Sequence, residues 1–187
     1  MNLLKIYFTF TQNPVAGMHQ LMAQRSFRQA CLGYFVATLS WVLFFNIGDH
    51  LSLPLLFLKL FLIFAAELTV GYFVAALCGL FLDLIRVKVS SAQLFVMIGS
   101  AGFIKALLIA FALISATVPQ LHLGWLAPLA LLLVWFLQLV YLVHGLQHMW
   151  GVDTLEALGG WLFGFVPVGA LFTMAGIFLI WFVFLLV

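Results

Sequence analysis

The amino-acid sequence predicts an all-α fold: a polytopic transmembrane helical bundle of five spans, with an N-terminal interfacial amphipathic helix in front of it. Three observations lead there. Of the 187 residues, 67% are hydrophobic and 6% are charged, whereas soluble domains carry about 25% charged residues. The 21 phenylalanines and 6 tryptophans are more apolar bulk than a soluble surface carries without aggregating. Apolar stretches long enough to cross a bilayer also recur along the chain, separated by short polar turns. Two regions follow: a cytoplasmic or interfacial segment over residues 1–29, and a five-helix membrane domain over residues 30–187.

Within the first region, Asn13-Pro14 is a helix-start signal, with Asn at the cap and Pro at the first helical position. Val15, Met18, Leu21 and Met22 then share one face, while His19, Gln20, Gln24 and Arg25 fall mostly elsewhere. That pattern suits a helix lying in the membrane interface, with a partner-docking helix as the sharper alternative. Lys5 interrupts a weak apolar run and no small-residue cleavage pattern follows, so no signal peptide is expected.

The first span is expected over about residues 30–47, ending at the Gly48-Asp49-His50 turn. The second covers about 54–84, longer than the roughly 20 residues a bilayer needs, so it tilts or protrudes. Asp83, Arg86 and Lys88 mark a polar loop, and Ser90 with Gln93 forms a capping box that opens the third span, about 92–118. After a turn over 119–124, the fourth span runs over about 125–150 with Trp125 and Trp150 as interfacial anchors. Asp153 and Glu156 make a second capping-box-like start, and the fifth span covers about 158–187, with a kink expected at Pro167. There is no convincing internal repeat and no low-complexity linker.

Lys5, Arg25, Arg28, Arg86 and Lys88 fall on one side of this arrangement and Lys59 near the other. The positive-inside rule then puts the N-terminus in the cytoplasm and the C-terminus outside. The net charge of +2, with no dense basic patch, argues against a nucleic-acid partner. Cys31 and Cys78 have no metal or redox spacing and are expected to be free thiols packed among apolar groups.

The candidate functional residues are few. Glu67 lies mid-span, where a carboxylate costs about 2.5–3.5 kcal/mol on insertion scales and so faces protein or water. It heads a ridge of small residues, Gly71, Ala75 and Gly79, which lets a neighbouring helix approach closely. The expected neighbour is the third span, which carries Lys105. At a rise of about 1.5 Å per residue, Glu67 stands roughly 22 Å and Lys105 roughly 16 Å above their cytoplasmic helix ends, a difference a lysine side chain can cover. The leading expectation is an intramembrane ion pair that sets helix register. An ion or proton path through the same two residues is the alternative, and side chains pointing elsewhere are the third. Lys59 is expected to snorkel to the headgroups.

Tyr141, His144 and His148 share a face of the fourth span, and the i,i+4 histidines could contribute to a metal site with Asp153 or Glu156. No third ligand stands at a diagnostic spacing, so neither a metal nor a cofactor is expected. No nucleophile elbow, phosphate loop or pair of catalytic carboxylates is present, and an enzyme is not expected.

The order of features resembles the Yip family of five-span membrane proteins, in its short prokaryotic form. Asn13-Pro14-Val15 through Leu21 resembles the family's NP-x-x-x-hydrophobic segment. The stretch from Ser91 to Ala101 is similar to its fRqll-x-vlgyA motif, and Ile104-Lys105 stand where the family often has a proline. Leu146-Gln147-His148 through Trp150-Gly151, with Ala157 and Pro167, resembles its closing motif. The resemblance implies a non-enzymatic scaffold or adaptor in a prokaryotic cytoplasmic membrane, contacting the lipid bilayer and other membrane proteins or itself. Eukaryotic members act in vesicle traffic and associate with small GTPases. The residues themselves leave a second reading open, a small transporter or channel using Glu67 and Lys105.

Overall fold

A computed structural model describes residues 27–46, 52–118 and 123–186. Over these residues the fold is an all-α five-helix bundle, and each helix is long and apolar enough to cross a membrane. The chain is a polytopic integral membrane protein. In order the elements are α1 (Phe27–Phe45), α2 (Leu53–Leu84), α3 (Ser91–Ala101), a 3-10 turn (Gly102–Lys105), α4 (Ala106–Thr117), a 3-10 turn (Leu123–Leu126), α5 (Ala127–Trp150) and α6 (Thr154–Leu186). The third span is α3 and α4 together, interrupted at mid-length.

This corrects the expected architecture of five spans plus a separate helix. Among the described residues there are five spanning helices and no further one. Phe27, Arg28 and Gln29, assigned from sequence to the interfacial segment, are the first turn of α1. The cause is aromatic: Phe27 stacks on Phe95 of α3, ring centroids 5.9 Å apart and planes 19° apart, which anchors that turn to the bundle. The interfacial helix read from Asn13-Pro14 falls on residues outside those described, as do the turn at Gly48-Asp49-His50 and most of the turn after Val118.

Local signals explain most helix ends. α2 starts with Pro54 in its first turn after Ser52, where proline's missing N–H loses nothing. It ends with Arg86 in the left-handed region (φ 67°), and Val87 N–H donates to the Leu82 carbonyl at 2.9 Å. Ser90 N–H donates to Gln93 Oε1 at 3.4 Å at the start of α3. α5 closes on Gly151, φ 67°, the conformation glycine adopts without a Cβ penalty. Asp153 N–H donates to Glu156 Oε2 at 3.2 Å before α6. α6 continues through Pro167 as one helix.

The tightest approach joins α1 to the third span. A Cβ on Gly33 would lie 1.9 Å from the Gly99 carbonyl oxygen, and one on Gly102 would lie 2.5 Å from the Gly33 carbonyl oxygen. Only hydrogen fits between these backbones, as in other small-residue membrane contacts. A second close crossing joins α2 to α6: Gly160 sits over Cys78, and Gly164 over the Val74 backbone. Beneath these contacts lies the main apolar core, which includes Tyr34, Leu82, Leu94, Met97, Leu146 and Trp161. A smaller cluster of Phe44, Leu108 and Val134 lies further along, and Ile104 packs against both. From Gly169 to Phe178, α6 presents nearly every residue outward, and Gly169 has no atom near its Cβ position. Cys31 and Cys78 are both free, Cys78 fully buried.

These contacts separate two glycines that look alike in sequence. Gly33→Val is expected to lower unfolding stability in detergent by about 2 kcal/mol or more. Gly169→Ala, at a helical site with open space, is expected to be neutral or to stabilise by about 0.5 kcal/mol. Thermal unfolding of both variants against the parent checks this.

Candidate functional site

The polar centre of the bundle is built from three spans. Glu67 lies near the midpoint of the 32-residue α2. Lys105 closes the 3-10 turn near the midpoint of the third span. The two side chains meet: Lys105 Nζ donates to Glu67 Oε1 at 2.6 Å. The same oxygen accepts a hydrogen bond from Trp41 Nε1 of α1, also at 2.6 Å. Lys105 Nζ lies 5.2 Å from the centroid of the Trp41 ring, a cation–π distance. One carboxylate oxygen therefore joins three spans.

Burial sets the energetics. The side chains are 10% (Lys105) and 17% (Glu67) exposed, so neither charge is surrounded by water, and the charge-assisted bonds replace hydration. Removing one partner of such a pair leaves the other uncompensated, which typically costs about 3–5 kcal/mol.

The ridge on α2 serves two neighbours, whereas the sequence points to the third span alone. Gly71, Ala75 and Gly79 are all buried. Gly71 makes room for Tyr34 of α1: a Cβ there would fall 2.2 Å from the tyrosine oxygen. The Tyr34 hydroxyl donates to the Phe95 carbonyl at 3.1 Å, and its ring packs on Phe95 at 4.9 Å. Gly79 faces the third span, against Ser91 and Leu94.

Lys59 has a partner as well, Asn46 Oδ1 of the first span at 2.5 Å. It thereby makes a second polar link between the first two spans.

The polar face of the fourth span divides. Tyr141 turns inward and is buried, its hydroxyl directed at Ser100. His144 and His148 face outward and stack, ring centroids 6.0 Å and planes 22° apart. Among the described residues, no group of three or more His, Cys, Asp or Glu is placed to hold a metal ion.

Trp41 is the site residue that sequence reasoning missed. It lies one turn before the end of α1, where an indole reads as an ordinary interfacial anchor. Gln138 was missed too. It is buried near the midpoint of α5, and no hydrogen bond reaches it among the described residues.

In comparisons with known proteins, no family model, no curated protein and no solved structure matches the chain. The likeness to the Yip family therefore rests on its apolar motifs alone, and no match ties the chain to that family.

The geometry makes the ion pair testable by a double-mutant cycle. Glu67→Gln and Lys105→Met are each expected to lower stability by about 3 kcal/mol, and the double variant by clearly less than the sum. Unfolding titrations of the purified variants check this, and strictly additive losses would refute the coupling.

Proposed function

We propose that this protein is a small, non-enzymatic ion transporter or channel that works through Glu67 and Lys105. One observation carries the reading: the third span tightens into a 3-10 turn at mid-length, and that turn ends on the buried Lys105, paired with Glu67. Ionisable residues at this depth commonly mark ion or proton pathways. Transporter sites tend to lie near the bilayer midplane. A stretch of 3-10 helix inside a longer helix often marks a hinge.

The turn also supplies a movement. Four residues wound as 3-10 helix rotate about 80° further and rise about 2 Å more than the same four wound as α-helix. Rewinding the turn would carry Lys105 away from Glu67. The Gly33, Gly99 and Gly102 contact holds α3 and the start of the turn against α1, so the motion would fall to Lys105 and the residues after it. The open oxygen of Glu67 and its three-helix junction would then change together.

We infer the same orientation as the charge distribution suggests, N-terminus in the cytoplasm, with Arg28, Arg86 and Lys88 on that side. The exposed apolar faces contact lipid. The scaffold reading, implied by the Yip resemblance, draws its support from the small-residue helix faces and short connections.

Reconstitution into liposomes separates the two readings. Ion or proton flux above that of empty liposomes is expected, and Glu67→Ala is expected to abolish the proton flux while the protein still inserts. A stoichiometric partner captured from native membranes, together with no flux for any ion tested, would overturn the transport reading in favour of the scaffold.

A further inference from the structure

We infer that the pair carries a proton together with a small monovalent anion, and that Gln138 is the second station of the Lys105 ammonium. The inference rests on the transport reading above and names its substrate class. It begins with the two oxygens of Glu67. Oε1 is occupied by both Lys105 Nζ and Trp41 Nε1. Oε2 accepts no hydrogen bond among the described residues, and the side chain keeps 17% exposure. Oε2 is thus where a cation would bind.

The neighbours restrict that cation to a proton. A metal cation needs several oxygen ligands, six to eight for calcium, and here the nearest groups are donors. Facing Glu67 are the Lys105 ammonium from the third span and the Trp41 N–H from the first. Tyr34, also of the first span, interacts electrostatically with Glu67, but its hydroxyl donates to the Phe95 carbonyl. The fifth span packs on α2 as well, and its one ionisable residue, Glu156, lies in its first turn. A proton needs a single oxygen, and Oε2 provides it.

Charge balance supplies the second half. The pair is neutral while both groups are ionised. A proton arriving on Oε2 neutralises the carboxylate and leaves the ammonium of Lys105 as the one uncompensated charge. One negative charge restores neutrality, so a monovalent anion enters with the proton. When the proton leaves Oε2, the carboxylate reclaims the ammonium and expels the anion.

Gln138 gives that anion a second set of donors. The buried face of α5 includes Val134, Gln138 and Tyr141. Val134 packs in the cluster with Leu108, against which Ile104 also lies. Tyr141, one turn further on, is directed at Ser100. Gln138 falls between them in register, opposite the 3-10 turn of Gly102–Lys105, and α5 does pack against that turn. It is only 8% exposed and makes no hydrogen bond among the described residues, yet its amide atoms keep some accessible surface, so a small solute can reach them. Its carboxamide N–H groups suit an anion brought round by Lys105. Glu67 and Gln138 thus stand on different spans, the first bonded to Lys105 and the second on the helix that packs against its turn.

The test uses the full chain in liposomes holding a pH-sensitive dye, with gradients of potassium chloride or potassium formate as probes. Wild-type protein is expected to acidify the lumen only when an inward anion gradient is present, and equally so when the membrane potential is clamped. Glu67→Gln, which keeps an acceptor for Trp41, should retain anion exchange measured with radiolabelled chloride or formate and lose acidification. Lys105→Met should lose both. Gln138→Leu should unfold thermally like the parent, since the amide makes no hydrogen bond among the described residues, yet transport anions about tenfold or more slowly.

Acidification that ignores the anion, or flux driven by a sodium gradient, would overturn the inference and leave the transport reading standing. Normal transport by a well-folded Gln138→Leu would overturn the role of Gln138. Absence of any flux from wild-type protein would remove both the inference and the reading beneath it.

Discussion

The bilayer interior cannot solvate an ion, and the Glu67–Lys105 contact is this protein's answer to that constraint. Two opposite charges placed mid-span on different helices must find each other, so the second and third spans are held at one axial register. Trp41 then brings the first span to the same point through the shared oxygen. The helices are otherwise apolar around much of their circumference, and apolar faces slide past one another at little cost in lipid. A charge pair with a 2.6 Å contact does not permit such sliding. Register in this bundle is therefore set by electrostatics at its centre.

Small residues make that meeting geometrically feasible. The Gly33, Gly99 and Gly102 contact draws the first and third spans to backbone distance, and Gly71 admits Tyr34 beside the charged centre. On one side of the centre the bundle is closely packed, with Trp161, Leu82 and Leu146 fully buried. On the other, the far half of the fifth span has few neighbours and the apolar cluster is small. The 3-10 turn falls at the junction, where Ile104 touches both clusters. The turn thus lies between a closely packed half of the bundle and a more loosely packed one.

Much of the fold was legible because membrane spans are a strong signal. Hydropathy and length locate all five helices, and the Ser90–Gln93 and Asp153–Glu156 spacings mark two helix starts through local hydrogen bonds. The first helix boundary was not legible, because Phe27 joins it through stacking on Phe95, a residue far away in sequence. The small-residue ridge was visible on Gly71, Ala75 and Gly79, but its partners were not: Gly71 faces the first span and Gly79 the third. Gly160 and Gly164, which form the crossing with the second span, carry no local signal that names their partner. Helical periodicity shows which residues share a face; it does not say which helix that face meets.

The candidate site divides along the same line. Sequence by itself determined that two ionisable residues stand at comparable depth in neighbouring spans, because rise per residue is a fixed property of the helix. Tertiary structure alone decided that Trp41 joins them, that the third span tightens into a 3-10 turn ending at Lys105, and that Gln138 stands buried opposite the turn. Those three features depend on how helices rotate about their own axes and on which pairs come into contact. Rotation and pairing are settled by packing across the whole bundle, and an almost uniformly apolar sequence carries too few polar residues to encode them locally.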